Sequence, residues 1–362
     1  MISRPSSLRL GGARLKEAML YLQLSDGSVE CLLCHRRCRI PKGSRGFCGV
    51  RRNVEGVLYS LVYGKAIAAN VDPIEKKPLF HYYPGSSVMS IATVGCNFRC
   101  KFCDNWSISQ EAEVEGVDLP PEKVVASSLK HACKGVSYTY TEPTVFFEYA
   151  YDTARLAREK GLFNTFVTNG YMTPEAVKTA SPNLDAATVD FKGSANPKFY
   201  RELMSVPDPE PIFETLKEMQ RCGIFVEVTN LVVPKYGDSL DDVRCLASRI
   251  VEVLGRDAPF HLLRFHPDYQ LLDAPATPVS TLERAAEVAK DVGLRYVYVG
   301  NVPGHELEHT YCPSCSEVLV ARFSFDVLTW NLTDDNCCPK CGEKVNIVGK
   351  PQRGGGRWLT LI

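Results

Sequence analysis

From residue 87 to residue 300 the chain alternates short runs of β-branched and aromatic residues with longer stretches whose apolar positions recur at helical spacing. The short runs predict strands at 88–95, 135–141, 163–168, 185–191, 224–232 and 260–266, with a seventh at 295–299. The longer stretches predict helices at 121–132, 144–160, 174–179, 211–222, 238–255 and 280–292. Strictly alternating strands and helices make a parallel α/β sheet. Six such units suit an open, partial (β/α)6 TIM-type barrel better than a closed one of eight, and place the active site at the C-terminal strand ends. The flanks read differently. Upstream, a short helix is expected near Leu15–Leu24, a strand over 53–63, and a loop-like connector over 64–87 punctuated by Pro73, Pro78 and Pro84. Downstream, VLVARFSFDVLTWNL alternates like a hairpin. Three parts follow: 1–86, 87–300 and 301–362.

Composition narrows the function. The 362 residues carry 42 basic and 42 acidic side chains, so no overall field draws the protein to nucleic acid or an anionic membrane. No apolar run reaches the roughly 18 residues of a membrane helix. A basic arm (Arg4, Arg9, Arg14, Lys16) opens the chain, faintly like a transit peptide, and Lys350–Trp358 is a basic, glycine-rich tail. No secretory signal precedes the fifteen cysteines, which are therefore expected in the reducing cytoplasm as metal ligands rather than disulfides. Cys133, Cys222 and Cys245 stand apart and read as small core residues.

The other twelve fall in three groups. Cys96, Cys100 and Cys103 follow the first barrel strand in the stretch SIATVGCNFRCKFCDNW (90–106). Three soft thiolates suit an iron–sulfur cluster, and three ligands for four irons leave one iron open for chemistry. Phe102 shields such a cluster from water. Cys31, Cys34, Cys38 and Cys48 form a glycine-rich four-thiolate site; zinc and an auxiliary iron–sulfur cluster both fit the spacing. His35, Arg36, Arg37, Arg39 and Arg45 make this segment basic. Two C-P-x-C knuckles, Cys312/Cys315 and Cys338/Cys341, read as a zinc ribbon stapling a small β-domain, with Cys337 spare. His81, with Tyr82 and Tyr83, either lines the active site or packs in the connector.

The pattern C-x3-C-x-φ-C, with Phe102 at the aromatic position, resembles the signature of the radical S-adenosylmethionine (SAM) enzymes. The resemblance implies a [4Fe-4S] cluster on Cys96, Cys100 and Cys103 whose open iron chelates SAM. Reductive cleavage then gives a 5′-deoxyadenosyl radical that takes hydrogen from a substrate. Glu142-Pro143 stands where the family commonly has Gly-Gly-Glu-Pro, although Tyr140 and Thr141 replace the glycines; the segment also reads as a helix start capped by Thr141. Thr168-Asn169-Gly170 and Asp190-Phe191-Lys192 resemble SAM-contacting motifs of glycyl-radical activating enzymes, with Val167 where an aspartate helps bind a cation. A structural Asp190–Lys192 surface pair is the lesser alternative. Glu227, inside the barrel, is expected near SAM or its lysine because a buried carboxylate needs a partner. His266 resembles a histidine that lies against the SAM adenosine.

The first cysteine group, the DPIEKKPLFHYYPGS loop, the three-cysteine motif, YTYTEPT and the terminal ribbon together resemble the radical SAM member of the AmmeMemoRadiSam system, a relative of pyruvate formate-lyase activating enzymes. That implies a radical SAM oxidoreductase with an unidentified substrate, association with a Memo-type protein and an electron donor such as ferredoxin or flavodoxin. A glycyl-radical activase and a non-enzymatic metal-binding scaffold are the alternatives.

Overall fold

The computed structural model describes residues 7–10, 13–110, 113–351 and 359–362, with side chains from Leu15 onward. The side chains of Arg4, Arg9 and Arg14, and residues 352–358 of the basic tail, lie outside the described part. Seven parallel strands form the centre: β1 (Ser87–Ala92), β2 (Gly135–Tyr138), β3 (Phe163–Thr168), β4 (Ala186–Lys192), β5 (Phe225–Val232), β6 (Phe260–Arg264) and β7 (Val297–Gly300). They lie side by side in sequence order, each parallel to the next. This is the strand order of a (β/α) barrel, left open between β1 and β7 among the described residues.

Helices connect the strands: α1 (Pro121–Lys130), α2 (Phe147–Glu159), α3 (Pro174–Ala180), α4 (Pro197–Met204), α5 (Glu210–Arg221), α6 (Leu240–Leu254) and α7 (Val279–Val292). Local chemistry sets their starts. Thr173 accepts from the Ala176 amide with Pro174 in the first turn, and Ser239 accepts from the Asp242 amide. Helix α4 was not expected, because a short segment beginning with a proline carries too few turns for a period. Asn196 caps it by accepting from the Lys198 and Phe199 amides.

Several sequence expectations change. Strand β1 stops at Ala92, before Gly95 turns to φ +96°, and β2 stops at Tyr138, before Tyr140 takes φ +63°. The strand expected over 53–63 is a hairpin, Arg51–Val54 against Val57–Ser60, because Glu55 and Gly56 both have positive φ. The helix near Leu15–Leu24 is two strands, Ala13–Glu17 and Tyr21–Gln23. Cys133 is a core residue, but Cys222 is half-buried and Cys245 exposed.

The connector is more structured than a loop. Ala68–Pro73 pairs antiparallel with β1, and Leu359–Thr360 pairs with it in turn, so the central sheet crosses both expected boundaries. Residues 77–81 then enter the N-terminal end of the barrel. Thr188 on β4 donates to the Lys77 carbonyl, and the His81 amide donates to Glu227 on β5 at 2.7 Å. The terminal domain, strands Thr310–Tyr311, Val318–Phe323 and Asp326–Trp330, seals this plug from below. Arg322, 1% exposed, donates to the Phe80 carbonyl and to Thr310, both at 2.8 Å.

The N-terminal part is fastened by a buried bidentate pair, Arg51 to Glu148 on α2, with both N–H···O distances 2.8 Å. Glu148 also accepts from the Met19 amide at 2.8 Å. Removing one partner strands a charge in the core. Glu148→Ala is expected to lower the unfolding free energy by about 3–5 kcal/mol, measured by denaturant titration of the metal-loaded protein.

Candidate functional site

The three-cysteine loop begins where β1 ends, and its backbone is pinned from several sides. A Cβ on Gly95 would stand 2.7 Å from the Val50 side chain and 2.8 Å from the Cys48 carbonyl, so the positive φ and the close approach both require glycine. The Gly95 amide donates to Ile108 at 2.9 Å, and the Arg99 and Lys101 amides donate to the carbonyls of Met204 and Leu203 at 3.0 and 2.9 Å. Phe102 is buried against Phe199 and Phe265, with ring centroids 5.5 and 6.4 Å away. Trp106 stacks on Tyr269 at 5.1 Å.

This loop sets Cys96, Cys100 and Cys103 at the C-terminal mouth of the barrel. Burial pushes the Cys100 thiol up to about 12 and the Cys96 thiol well above its usual range. Such thiols ionise only beside a compensating cation, as metal ligands do. The donor chemistry fits an iron–sulfur cluster, and so does the spread. Among the described residues, Cys312, Cys315, Cys338 and Cys341 are the one group of ligand atoms within 4.8 Å of one another. The sulfurs of the three-cysteine loop stand wider than ligands of a single ion.

Strand-end residues surround the loop. Glu142 is 2% exposed and joins the ends of β2 and β3. It accepts from the Thr144 amide at 3.0 Å, the Thr168 hydroxyl at 2.7 Å and the Asn169 amide at 2.8 Å, as well as the Thr144 hydroxyl. Glu142, not Thr141, therefore caps the short 3-10 helix Pro143–Phe146; Thr141 instead donates to the Thr93 carbonyl. The Asn169 side chain donates to Asn97 Oδ1 at 2.7 Å, tying the β3 end to the residue after Cys96. Thr168 and Asn169 thus use these groups to build the mouth of the barrel.

On β4, Asp190 forms an ion pair with Lys192 and accepts from Thr229 on β5. Burial alone would lower the Lys192 pKa, but Asp190 and the neighbouring Cys100 raise it overall. The lysine is a fixed cation beside the cysteine loop. His266 is exposed at the rim, close enough to Asp104 to influence its charge.

Glu227 does not lie with Lys192. It shares the interior face of the barrel but sits one layer lower, where the His81 amide and His261 Nε2 (2.8 Å) satisfy it. Its buried carboxylate found a histidine on β6 and a backbone amide from the plug, contacts invisible in periodicity. His81 is fully buried between Tyr298 (2.6 Å) and the Asn346 carbonyl (2.7 Å), so it packs and does not line the site. Sequence reasoning missed Asn97, Asp104 and Thr229. Thr229 shares the interior face with Glu227 by the period of two, but nothing in the sequence marks it as the partner of Asp190.

The C-terminal knuckles converge on one point, with Cys312 Sγ 3.5 Å from Cys341 Sγ and Cys315 Sγ 3.6 Å from Cys338 Sγ. This geometry can hold one tetrahedral metal ion.

The model of the radical SAM superfamily matches residues 90–249, the span from β1 into α6. The chain is 49% identical over 337 residues to the uncharacterized protein MJ0808 of Methanocaldococcus jannaschii, covering 92% of this chain and all of that one. It is 21% identical over 217 residues to the pyruvate formate-lyase-activating enzyme of Clostridium pasteurianum, covering 55% of this chain and 88% of the relative. A radical SAM methyltransferase structure from Sphaerobacter thermophilus aligns over 79% of this chain and 77% of its own, with 14% identity and a TM-score of 0.49. Residues 90–249 are a radical SAM domain, and the chain is similar to the pyruvate formate-lyase activating enzymes. No helix among the described residues is long and apolar enough to cross a membrane.

Glu142→Gln replaces an all-acceptor carboxylate with an amide whose NH2 meets an N–H or O–H donor. The expected loss is about 1–3 kcal/mol, seen as a lower unfolding midpoint with iron content unchanged.

Proposed function

We propose that the protein is a radical SAM oxidoreductase: a [4Fe-4S] cluster on Cys96, Cys100 and Cys103, with SAM bound, supplies reductive cleavage to a 5′-deoxyadenosyl radical that takes hydrogen from a substrate. The observation that carries this reading is the pinned three-cysteine loop at the C-terminal end of β1, facing the Asp190–Lys192–Thr229 group. The protein's own residues hold and orient. Lys192 offers a cation toward the cluster side, suited to a carboxylate or to the cluster's negative charge. Asp190 fixes that lysine and offers a carboxylate to an ammonium. Glu142, through Thr168 and Asn169, keeps the mouth in shape, and Phe102 with Phe199 and Phe265 keeps water from the loop's underside. His266 at the rim is the candidate contact for the adenosine.

Three further assignments belong to this reading: a ferredoxin- or flavodoxin-type electron donor, a Memo-type partner within an AmmeMemoRadiSam system, and a cytoplasmic location. A glycyl-radical activase is the second reading, supported by the likeness to the Clostridium pasteurianum enzyme. A radical on a partner glycine, seen by EPR after incubation with SAM, would establish it. At the C-terminal knuckles we assign zinc, since sulfur–sulfur distances of 3.5 and 3.6 Å are near the ~3.8 Å that Zn–S bonds of about 2.3 Å imply.

Anaerobically reconstituted protein given SAM and dithionite is expected to form 5′-deoxyadenosine, and Cys100→Ala to form none; normal turnover by that variant would sink the assignment. Asp190→Asn should keep its iron yet bind SAM about tenfold more weakly by calorimetry, the scale of one charge-assisted hydrogen bond. Cys338→Ser is expected to lose one zinc by elemental analysis while retaining all iron.

A further inference from the structure

The proposed function leaves one enclosed cavity unused. Cys31, Cys34, Cys38 and Cys48 all line a single small cavity of about 20 Å³, together with Arg51 and Asn97 and a wall of apolar side chains. Four thiols around one cavity call for a metal group, and the geometry distinguishes which. A single tetrahedral ion draws its four sulfurs together to about 3.8 Å, given metal–sulfur bonds of about 2.3 Å. The C-terminal knuckles show that arrangement. The first group does not, since among the described residues the C-terminal set is the one whose ligand atoms all fall within 4.8 Å. Its sulfurs instead stand apart on the walls of the cavity, too widely spread to share one ion. They share this wider spread with Cys96, Cys100 and Cys103, where each thiolate takes a different iron.

Two polar groups on the wall await an acceptor. Arg51 is 2% exposed and spends both terminal nitrogens on Glu148, while its Nε is buried without a partner. Asn97 is 1% exposed, with Oδ1 taken by Asn169 and Nδ2 buried without a partner. A buried N–H left unsatisfied costs about 1–3 kcal/mol. The sulfides and thiolates of a cluster are the acceptors such donors commonly meet.

We propose that Cys31, Cys34, Cys38 and Cys48 hold a second, fully cysteine-ligated [4Fe-4S] cluster, with Arg51 and Asn97 donating to its sulfurs. Four protein ligands leave no iron open, so this cluster carries single electrons and does not bind substrate. It lies against the SAM-cluster loop. The Cys48 carbonyl touches Gly95, and Asn97, next to Cys96, forms part of the cavity wall. The segment is held there by the His35 amide on the Tyr171 carbonyl at 3.0 Å and the Thr173 amide on the Leu33 carbonyl at 3.1 Å.

The test uses the full chain with the three-cysteine motif removed, C96A/C100A/C103A, reconstituted anaerobically with iron and sulfide. It should keep about four irons and, on reduction with dithionite, give a cluster EPR signal that SAM does not change. Zinc in place of iron at this site, two zincs per chain with no cluster signal, would overturn the proposal. The reciprocal variant C31A/C34A should keep a cluster whose EPR signal does shift with SAM. Loss of that shift while C96A/C100A/C103A keeps its iron would refute the proposed function and leave this inference standing. Should C31A/C34A fail to fold, the iron count of C96A/C100A/C103A decides alone. Arg51→Lys, which keeps the charge but removes the Nε donor, is expected to lower the second cluster's reduction potential in an EPR-monitored titration. An unchanged potential would remove Arg51 from its hydrogen-bonding shell. Wild-type protein with both clusters reduced should show a spectrum broader than the sum of the two single-cluster variants, and a simple sum would refute their contact.

Discussion

Buried cysteines that cannot ionise without a cation are the constraint on which this structure depends. A thiol pushed up to about 12, as at Cys34 and Cys100, is protonated at neutral pH and is a poor ligand until a metal arrives. The protein answers by fixing the backbone around each group in advance. Around Cys96–Cys103 the fixing elements come from the end of α4, from the rim after β6, and from the Cys48 turn of the N-terminal part. Under the proposed assignments, metal binding would complete positions that folding has already set, so that folding and loading reinforce each other.

The same economy appears among the polar residues in the barrel. Its interior carries charge in two layers along β4 and β5, because parallel register sets Thr188 beside Glu227 and Asp190 beside Thr229. The lower layer is closed: Thr188 meets the Lys77 carbonyl, and Glu227 meets His81 and His261. The upper layer, Asp190 and Lys192, lies toward the cysteine loop and keeps an unexhausted cation. One strand face thus serves structure at its start and, under the proposed function, chemistry at its end. The plug makes this division possible by filling the bottom of the barrel with its own backbone.

Much of this was legible in the residues, and the failures share a cause. The parallel core was readable because alternating apolar runs and amphipathic stretches are local signals, as were the two C-P-x-C knuckles. What stayed hidden was partner choice across long sequence separations. Glu227 announced that it needed a partner, but His81 lies 146 positions away and His261 on the next strand. Phe102 read as a water shield for the cluster, and the rings it packs on, Phe199 and Phe265, come from α4 and the end of β6. The connector looked like loop because its prolines break helical and strand periods alike, yet Ala68–Pro73 ends on one of them as a strand paired with β1 on one side and Leu359–Thr360 on the other.

Arg51 shows why the N-terminal part cannot be treated as a detachable metal module. Its guanidinium binds Glu148 on the barrel with two nitrogens, and the same side chain lines the cysteine cavity. A buried ion pair of this kind contributes little net stability against an apolar substitute, but it penalises any arrangement that separates its partners. Separating the N-terminal part from α2 would strand Glu148 in the core and expose the cysteine cavity together. The pair therefore holds the first cysteine group at a fixed position against the loop that carries Cys96, and that position, more than added stability, is what a charged pair in a dry interface provides.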